Sequence, residues 1–285
     1  MTTDTTRSAE IYRAIQARAR SDAARTGQPV ATGEYLTRHA LESFLFRVTR
    51  TVHANAFVLK GGILLTAYDV RRPTKDLDAE AISASVTPAH VSRVVRDAAA
   101  VDADDGIAFD LDSISIQEIR DDAEYPGLRM RAAVTLASWK GKVAWDISTG
   151  DPIVPAPRTV LIPRVFGDPI EVTGYRPETV IAEKGVTILE RGRTSTRWRD
   201  YVDIVQLPAR HTIDGAQLRR AAEAVAAFRG VELVPISPVV DGYGEVAQDK
   251  WAAWRRKERL GEISEEKLDD QMALVAAVLD PVFSR

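Results

Sequence analysis

Cysteine is absent from all 285 residues. Disulfides, thiolate nucleophiles and cysteine-based zinc sites are therefore excluded. Histidine is scarce: His39, His53, His90 and His211 stand far apart and show no metal-ligand spacing. Any metal would have to be held mainly by carboxylates, which suits a hard ion such as Mg²⁺ or Mn²⁺. No apolar run reaches the length of a membrane span, so no membrane partner is expected. The opening MTTDTTRSAEIYR has no apolar signal core, and the expectation is a soluble, cytoplasmic protein. An excess of one charge is also lacking. The net charge of −3 neither announces a polynucleotide partner nor excludes a local basic patch.

What is present is enough apolar material for a core. Hydrophobic residues make up 45% and charged residues 28%, which argues for a folded chain with a well-solvated surface. The length suits one large domain or two small ones. Helical periodicity covers 7–25 and 33–53, the latter with Leu36, Ala40, Phe44 and Val48 on one face. Residues 57–59 form a short strand, and 88–103 a helix with Thr87 as N-cap and Pro88 at its first position. Strand patterns follow at 107–120, 128–139 and 142–148, the last two joined by a turn at Lys140–Gly141. Two more strands, at 159–165 and 170–173, flank a turn containing Gly167, Asp168 and Pro169. Beyond residue 174 the pattern is helical, at 177–191, 195–207, 215–229, 245–260 and 264–279, with a Pro- and Gly-rich loop at 231–244. The expected fold class is α+β and bilobed. A mixed-sheet lobe with N-terminal helices spans 1–174, and a helical lobe spans 175–285.

The chemistry concentrates in Lys60-Gly61-Gly62-Ile63 and Arg72-Pro73-Thr74-Lys75-Asp76-Leu77-Asp78. Residues i and i+2 of a strand point to one face, so Asp76 and Asp78 project together while Leu77 anchors the other side. Paired carboxylates of this kind hold divalent ions against a triphosphate, which carries about four negative charges. Two glycines let the backbone approach phosphate, and a helix after them offers free N–H groups. A glycine pair followed, after 13 intervening residues, by an Asp-x-Asp strand is the arrangement of the polymerase-β-like nucleotidyltransferases. A third carboxylate belongs on a neighbouring strand, and Asp146 is the best candidate because its neighbours are apolar. Asp110 and Asp112 have the same form without a preceding glycine pair, and read as the exposed face of a strand.

Two downstream segments extend the pattern: Tyr175-Arg176-Pro177-Glu178-Thr179-Val180-Ile181-Ala182-Glu183-Lys184 and Arg197-Trp198-Arg199-Asp200-Tyr201-Val202-Asp203. With the first two motifs they make four in order, and over roughly residues 55–207 the chain resembles the AbiEii/MenT nucleotidyltransferase toxin family. The resemblance implies an active site between an N-terminal nucleotidyltransferase lobe and a C-terminal helical lobe. It implies that Asp76 and Asp78 hold Mg²⁺ or Mn²⁺, to which the reading of the strands adds Asp146. It assigns Gly61, Gly62 and Lys184 to the nucleoside triphosphate, with Lys60, Thr74 and Arg199 as further candidates in the same motifs, and Asp203 to catalysis, as a possible general base. It further implies a cognate antitoxin and an RNA acceptor, the tRNA 3′ end, whose modification blocks aminoacylation.

The residues leave some of this open. Lys184 lies between Val180 and Ile188 on an apolar helix face, where it either snorkels at the core edge or binds phosphate. Arg199 and Asp203 are also spaced for an ordinary surface ion pair. Arg72 and Lys75 are open to two readings, ligand contacts or solvated loop charges. Two basic stretches could meet RNA: Arg191, Arg193, Arg197 and Arg199, which is preferred, and Lys250–Lys257 with Trp251 and Trp254, which reads better as a helix turning its tryptophans inward. A protein acceptor and a non-catalytic triphosphate-binding regulator are the competing functions.

Overall fold

A computed structural model describes residues 2–27, 31–82, 86–119 and 127–284, and the side chains of these from residue 6 onward. Residue 120, the end of one expected strand, lies outside them. The chain divides into two compact units. The first comprises Met1–Ala67, Pro73–Gly150 and Thr159–Gly174; the second comprises Tyr68–Arg72, Asp151–Arg158 and Tyr175–Arg285.

The first unit is built on a mixed seven-stranded sheet. Its elements in chain order are α1 (Thr2–Thr26), α2 (Thr32–Val48), β1 (Phe57–Lys60), α3 (Gly61–Leu64), β2 (Leu77–Ala81), α4 (Pro88–Ala99), β3 (Ala108–Ile119), β4 (Gly127–Leu136), β5 (Trp139–Thr149), β6 (Arg158–Ile162) and β7 (Ile170–Gly174). The strand order is β3-β4-β5-β2-β1-β7-β6. β2 runs antiparallel to β1 and parallel to β5, which places it at the centre. Alternation then sorts its side chains. Leu77 and Ala79 are buried, and Leu77 is in register with Trp145. The Trp145 ring lies 5.4 Å from Phe44 of α2 and 4.8 Å from Phe57 of β1, so this face carries the helical layer. Burying a side chain of this kind stabilises by roughly 1.5–3 kcal/mol. Asp78 and Glu80 consequently point to the opposite face.

Several expected boundaries shift, each for a local reason. The helix expected over 33–53 ends at Val48, where the hydroxyls of Thr49 and Thr51 bond back to the carbonyls of Phe46 and Val48. The helix expected over 88–103 ends at Ala99, because Arg47 takes the carbonyls of Ala99 and Val101. Its start is as read, with Pro88 in the first turn and the Thr87 hydroxyl accepting from the His90 N–H. The β4–β5 turn falls at Ala137–Ser138, not at Lys140–Gly141. Gly141 is a strand residue whose missing Cβ makes room for the Trp139 ring, which would stand 2.2 Å from it.

The second unit is helical: α5 (Pro177–Arg191), α6 (Trp198–Gln206), α7 (Gly215–Arg229), α8 (Ile236–Val240), α9 (Tyr243–Glu258) and α10 (Leu268–Phe283). α10 packs on α6, α7, α8 and α9. α8 falls within the stretch expected to be a loop. It is held by Asp280, which accepts from the Ile236 N–H at 2.6 Å and from the Ser237 hydroxyl. Trp251 is fully buried and stacks on Trp254, so the inward reading of this helix holds for Trp251. Among the described residues no helix is long and apolar enough to cross a membrane.

Candidate active site

In the first unit the polar face of the central strands carries a row of charge. Lys60 is in register with Asp78, Asp78 with Asp146, and Asp146 with Arg129. In-register neighbours share a face, so these four side chains stand side by side across β1, β2, β5 and β4. Asp76 lies just before β2, where the Thr74 hydroxyl bonds to its carbonyl at 3.2 Å and its carboxylate at 3.3 Å. Asp76, Asp78 and Asp146 are partly exposed.

Gly61 is fitted to this row. Its φ is +68°, and a Cβ there would stand 1.8 Å from the Asp78 Oδ2 atom, an impossible overlap. The glycine therefore serves the carboxylate directly. Gly62 is buried in α3. The helix expected after the glycine pair is a single α turn, continuing as 3₁₀ over Leu65–Tyr68.

Arg129 grips Asp146 with a fork: Nε donates to Oδ1 at 2.6 Å, and Nη2 donates to Oδ2. Hydrogen bonding to Asp146 raises the Arg129 pKa against the cost of burial, and the charges of Asp146, Asp76 and Asp78 add to the rise. One guanidinium thus sits in the field of three carboxylates, leaving a deficit of two positive charges. Among the described residues no three His, Asp or Glu side chains are gathered as a formed metal site. The donor set is nevertheless all oxygen, and its charge deficit matches one divalent cation, so a hard divalent ion fits the residues present.

Lys60, expected at the nucleotide, pairs with buried Glu80. Its ammonium is 3.0 Å from Oε2, which also accepts from the Ser148 hydroxyl at 2.6 Å. Glu80 continues the Asp76, Asp78 alternation, and that was the available sequence signal for it.

The second unit holds its own cluster. Asp203 is fully buried. It accepts Arg72 Nε at 2.8 Å on Oδ1 and Arg72 Nη2 at 2.9 Å on Oδ2, and its Oδ2 lies 3.0 Å from Lys184. Lys184 also donates to Asp200, which takes Arg197 Nε at 2.8 Å on its other oxygen. Burial alone would push the Lys184 ammonium down; Asp200 and then Asp203 outweigh it and hold the pKa up. Burial alone would likewise push both carboxyls up. Lys184 and Arg197 hold Asp200 well below the usual carboxylate range, and Arg72 and Lys184 hold Asp203 down despite the like charge of Asp200.

These contacts bear on four readings of the sequence. Lys184 does not snorkel: it is anchored by two aspartates. Arg199 does not pair with Asp203; it bonds Glu258 of α9 at 2.9 Å. Asp203, the expected candidate for a general base, has both carboxylate oxygens held by cations, Arg72 on Oδ1 and Oδ2 and Lys184 on Oδ2. Arg72 is not a solvated loop charge. Asp200, one turn before Asp203 and capable of facing the same side, was the partner that sequence reading missed. In the expected basic cluster, Arg197 is engaged by Asp200 and Arg193 donates to the Asp241 carbonyl at 3.1 Å.

A family model described as nucleotidyl transferase AbiEii toxin, Type IV TA system, matches residues 43–274. The match spans both units and most of the chain, and the chain belongs to that family. Two solved structures are similar to it. JHP933 from Helicobacter pylori is 16% identical with a TM-score of 0.49, covering 87% of this chain and 91% of its own. A candidate nucleotidyltransferase from H. pylori is 15% identical with a TM-score of 0.49, covering 87% of this chain and 94% of its own. No curated protein matches the chain.

Proposed function

We propose that this nucleotidyltransferase toxin transfers a nucleoside monophosphate from a nucleoside triphosphate to an RNA, at the tRNA 3′ end, in the presence of Mg²⁺ or Mn²⁺. The observation that carries the reading is the register of Asp78 with Asp146 on neighbouring parallel strands, with Asp76 two residues before and Gly61 shaped around the Asp78 carboxylate. Asp76 and Asp78, with Asp146 beside them, would hold the divalent ion, which supplies positive charge against the triphosphate. The acceptor 3′-hydroxyl attacks the α-phosphorus, the α–β phosphoanhydride bond breaks, and pyrophosphate leaves. Thr74 fixes Asp76, and Gly61 leaves room for the Asp78 carboxylate.

The second unit carries a cationic cluster of its own. Arg72, Lys184 and Arg197 exceed Asp200 and Asp203 by one positive charge, which suits Lys184 as a phosphate contact. Asp203 then positions Lys184 and Arg72. The arginines Arg191 and Arg193 are the proposed RNA contacts. The family description, a toxin of a Type IV toxin–antitoxin system, supports a cognate antitoxin; a cytoplasmic site of action and a block of tRNA aminoacylation belong to the proposal.

The test is to incubate the protein with total tRNA, Mg²⁺ and each α-labelled nucleoside triphosphate in turn, with Asp76→Ala alongside. The expected result is label on tRNA from one nucleotide, absent in the variant. Label on protein alone would replace RNA by a protein acceptor. Triphosphate bound but not consumed would leave a non-catalytic regulator.

A further inference from the structure

Arg129 has no part in the function just proposed, yet it holds one of the three carboxylates by both oxygens. Asp146 sits on β5 between two in-register neighbours of opposite sign: Arg129 on β4 and Asp78 on β2. Like charges directly opposite on adjacent strands repel. The fork from Arg129 offsets that repulsion for Asp146, and a divalent ion shared with Asp78 would offset it in the same way. The two arrangements compete for the same carboxylate. Exposure permits exchange, since the side chains of Arg129 and Asp146 are 36% and 17% exposed.

We propose that Arg129 is a positioning residue that occupies Asp146 and yields it when a divalent cation loads, so that the Arg129–Asp146 pair sets how tightly the site binds metal. The inference rests on the reading of Asp76 and Asp78 as metal-holding residues. Arg129 then tunes occupancy: metal enters only where its gain exceeds that of the fork it displaces. The guanidinium stays tethered to β4 and keeps its charge beside the same row of carboxylates.

The test is Mn²⁺ binding to the full chain, followed by calorimetry without nucleotide, for the wild type, Arg129→Gln, Asp146→Asn, the double variant and Asp78→Asn. Circular dichroism checks each fold. Arg129→Gln is expected to bind Mn²⁺ about five- to tenfold more tightly than the wild type. That gain is expected to vanish when Asp146 is also Asn. General damage to the sheet would not tighten cation binding. Unchanged or weaker binding in a folded Arg129→Gln overturns the proposal. So does a gain that persists in the double variant, which would mark Arg129 as a distant repelling charge only. Asp78→Asn separates the two levels. If it abolishes Mn²⁺ binding while Arg129→Gln changes nothing, only the proposal on Arg129 fails. If Asp78→Asn leaves binding intact, the metal reading of the site fails with it.

Discussion

Arg72 and Asp203 stand 131 residues apart in sequence and meet in a two-pronged ion pair, at 2.8 and 2.9 Å, with the carboxylate fully buried. The pair ties the Tyr68–Arg72 segment to α6 within the helical unit, immediately before the chain passes into the sheet unit at Pro73. Removing Arg72 leaves Asp203 charged and buried with Lys184, shared with Asp200, as its remaining cation. Arg72→Ala is expected to destabilise the fold by about 3–5 kcal/mol, measured as the shift in urea unfolding midpoint at constant m-value. A shift within the range of a surface substitution would remove the pair from the list of supports.

The same cluster sets a pH dependence. Asp200 and Asp203 are held below their ordinary value of 3.8, so their contribution is complete above the unfolded-state value and is lost as pH falls through the lowered folded value. Lys184 is held above its ordinary 10.5, so its contribution is complete below that value and is lost as pH rises through the raised folded value. Unfolding midpoints should therefore decline below about pH 4 and again in strong alkali. Asp203→Asn should flatten the acid limb, and a limb equally steep in that variant would place the acid sensitivity elsewhere.

Much of this cluster was invisible in the sequence for a physical reason. Helical periodicity placed Lys184 on an apolar face, but its partners Asp200 and Asp203 come from α6, packed against α5. Local spacing suggested Arg199 for Asp203, whereas tertiary packing carries Arg199 to Glu258 and Asp203 into the interior. The sheet was more legible, because period-two alternation survives in each strand: Asp76, Leu77 and Asp78 sort themselves to two sides without outside help. Register did not follow from pattern, so Arg129 and Glu80 could not be tied to Asp146 and Lys60. Turn chemistry misled once, because Ala137 adopts φ +49° with no residue cue while nearby Gly141 serves a tryptophan ring.

Gly61→Ala should injure the site more than the fold. A Cβ overlapping the Asp78 carboxylate at 1.8 Å forces that side chain aside. The left-handed φ costs about 1–2 kcal/mol, and displacing a reacting-site group by about an ångström costs roughly 10²-fold in rate. Nucleotide-transfer rate measured beside thermal unfolding checks this. Full activity in the variant would show that the position of Asp78 is not critical.

Gly185→Ala tests the packing of the helical unit away from the charges. Its Cβ would lie 2.7 Å from the Phe283 ring and 3.1 Å from Leu279, both on α10. Overpacking of this kind costs about 1–3 kcal/mol, expected as a lower unfolding midpoint. An unchanged midpoint would mean that α10 can move away freely.

The central claim is that the sheet-unit carboxylates support transfer of a nucleotide, and not of a terminal phosphate. The most direct measurement runs parallel reactions with α-labelled and γ-labelled nucleoside triphosphate, total RNA and Mg²⁺, using the wild type and Asp78→Asn. The expected result is α label on RNA, γ label recovered as pyrophosphate, and neither product in the variant. Transfer of the γ label to the acceptor, or equal activity in Asp78→Asn, would contradict it.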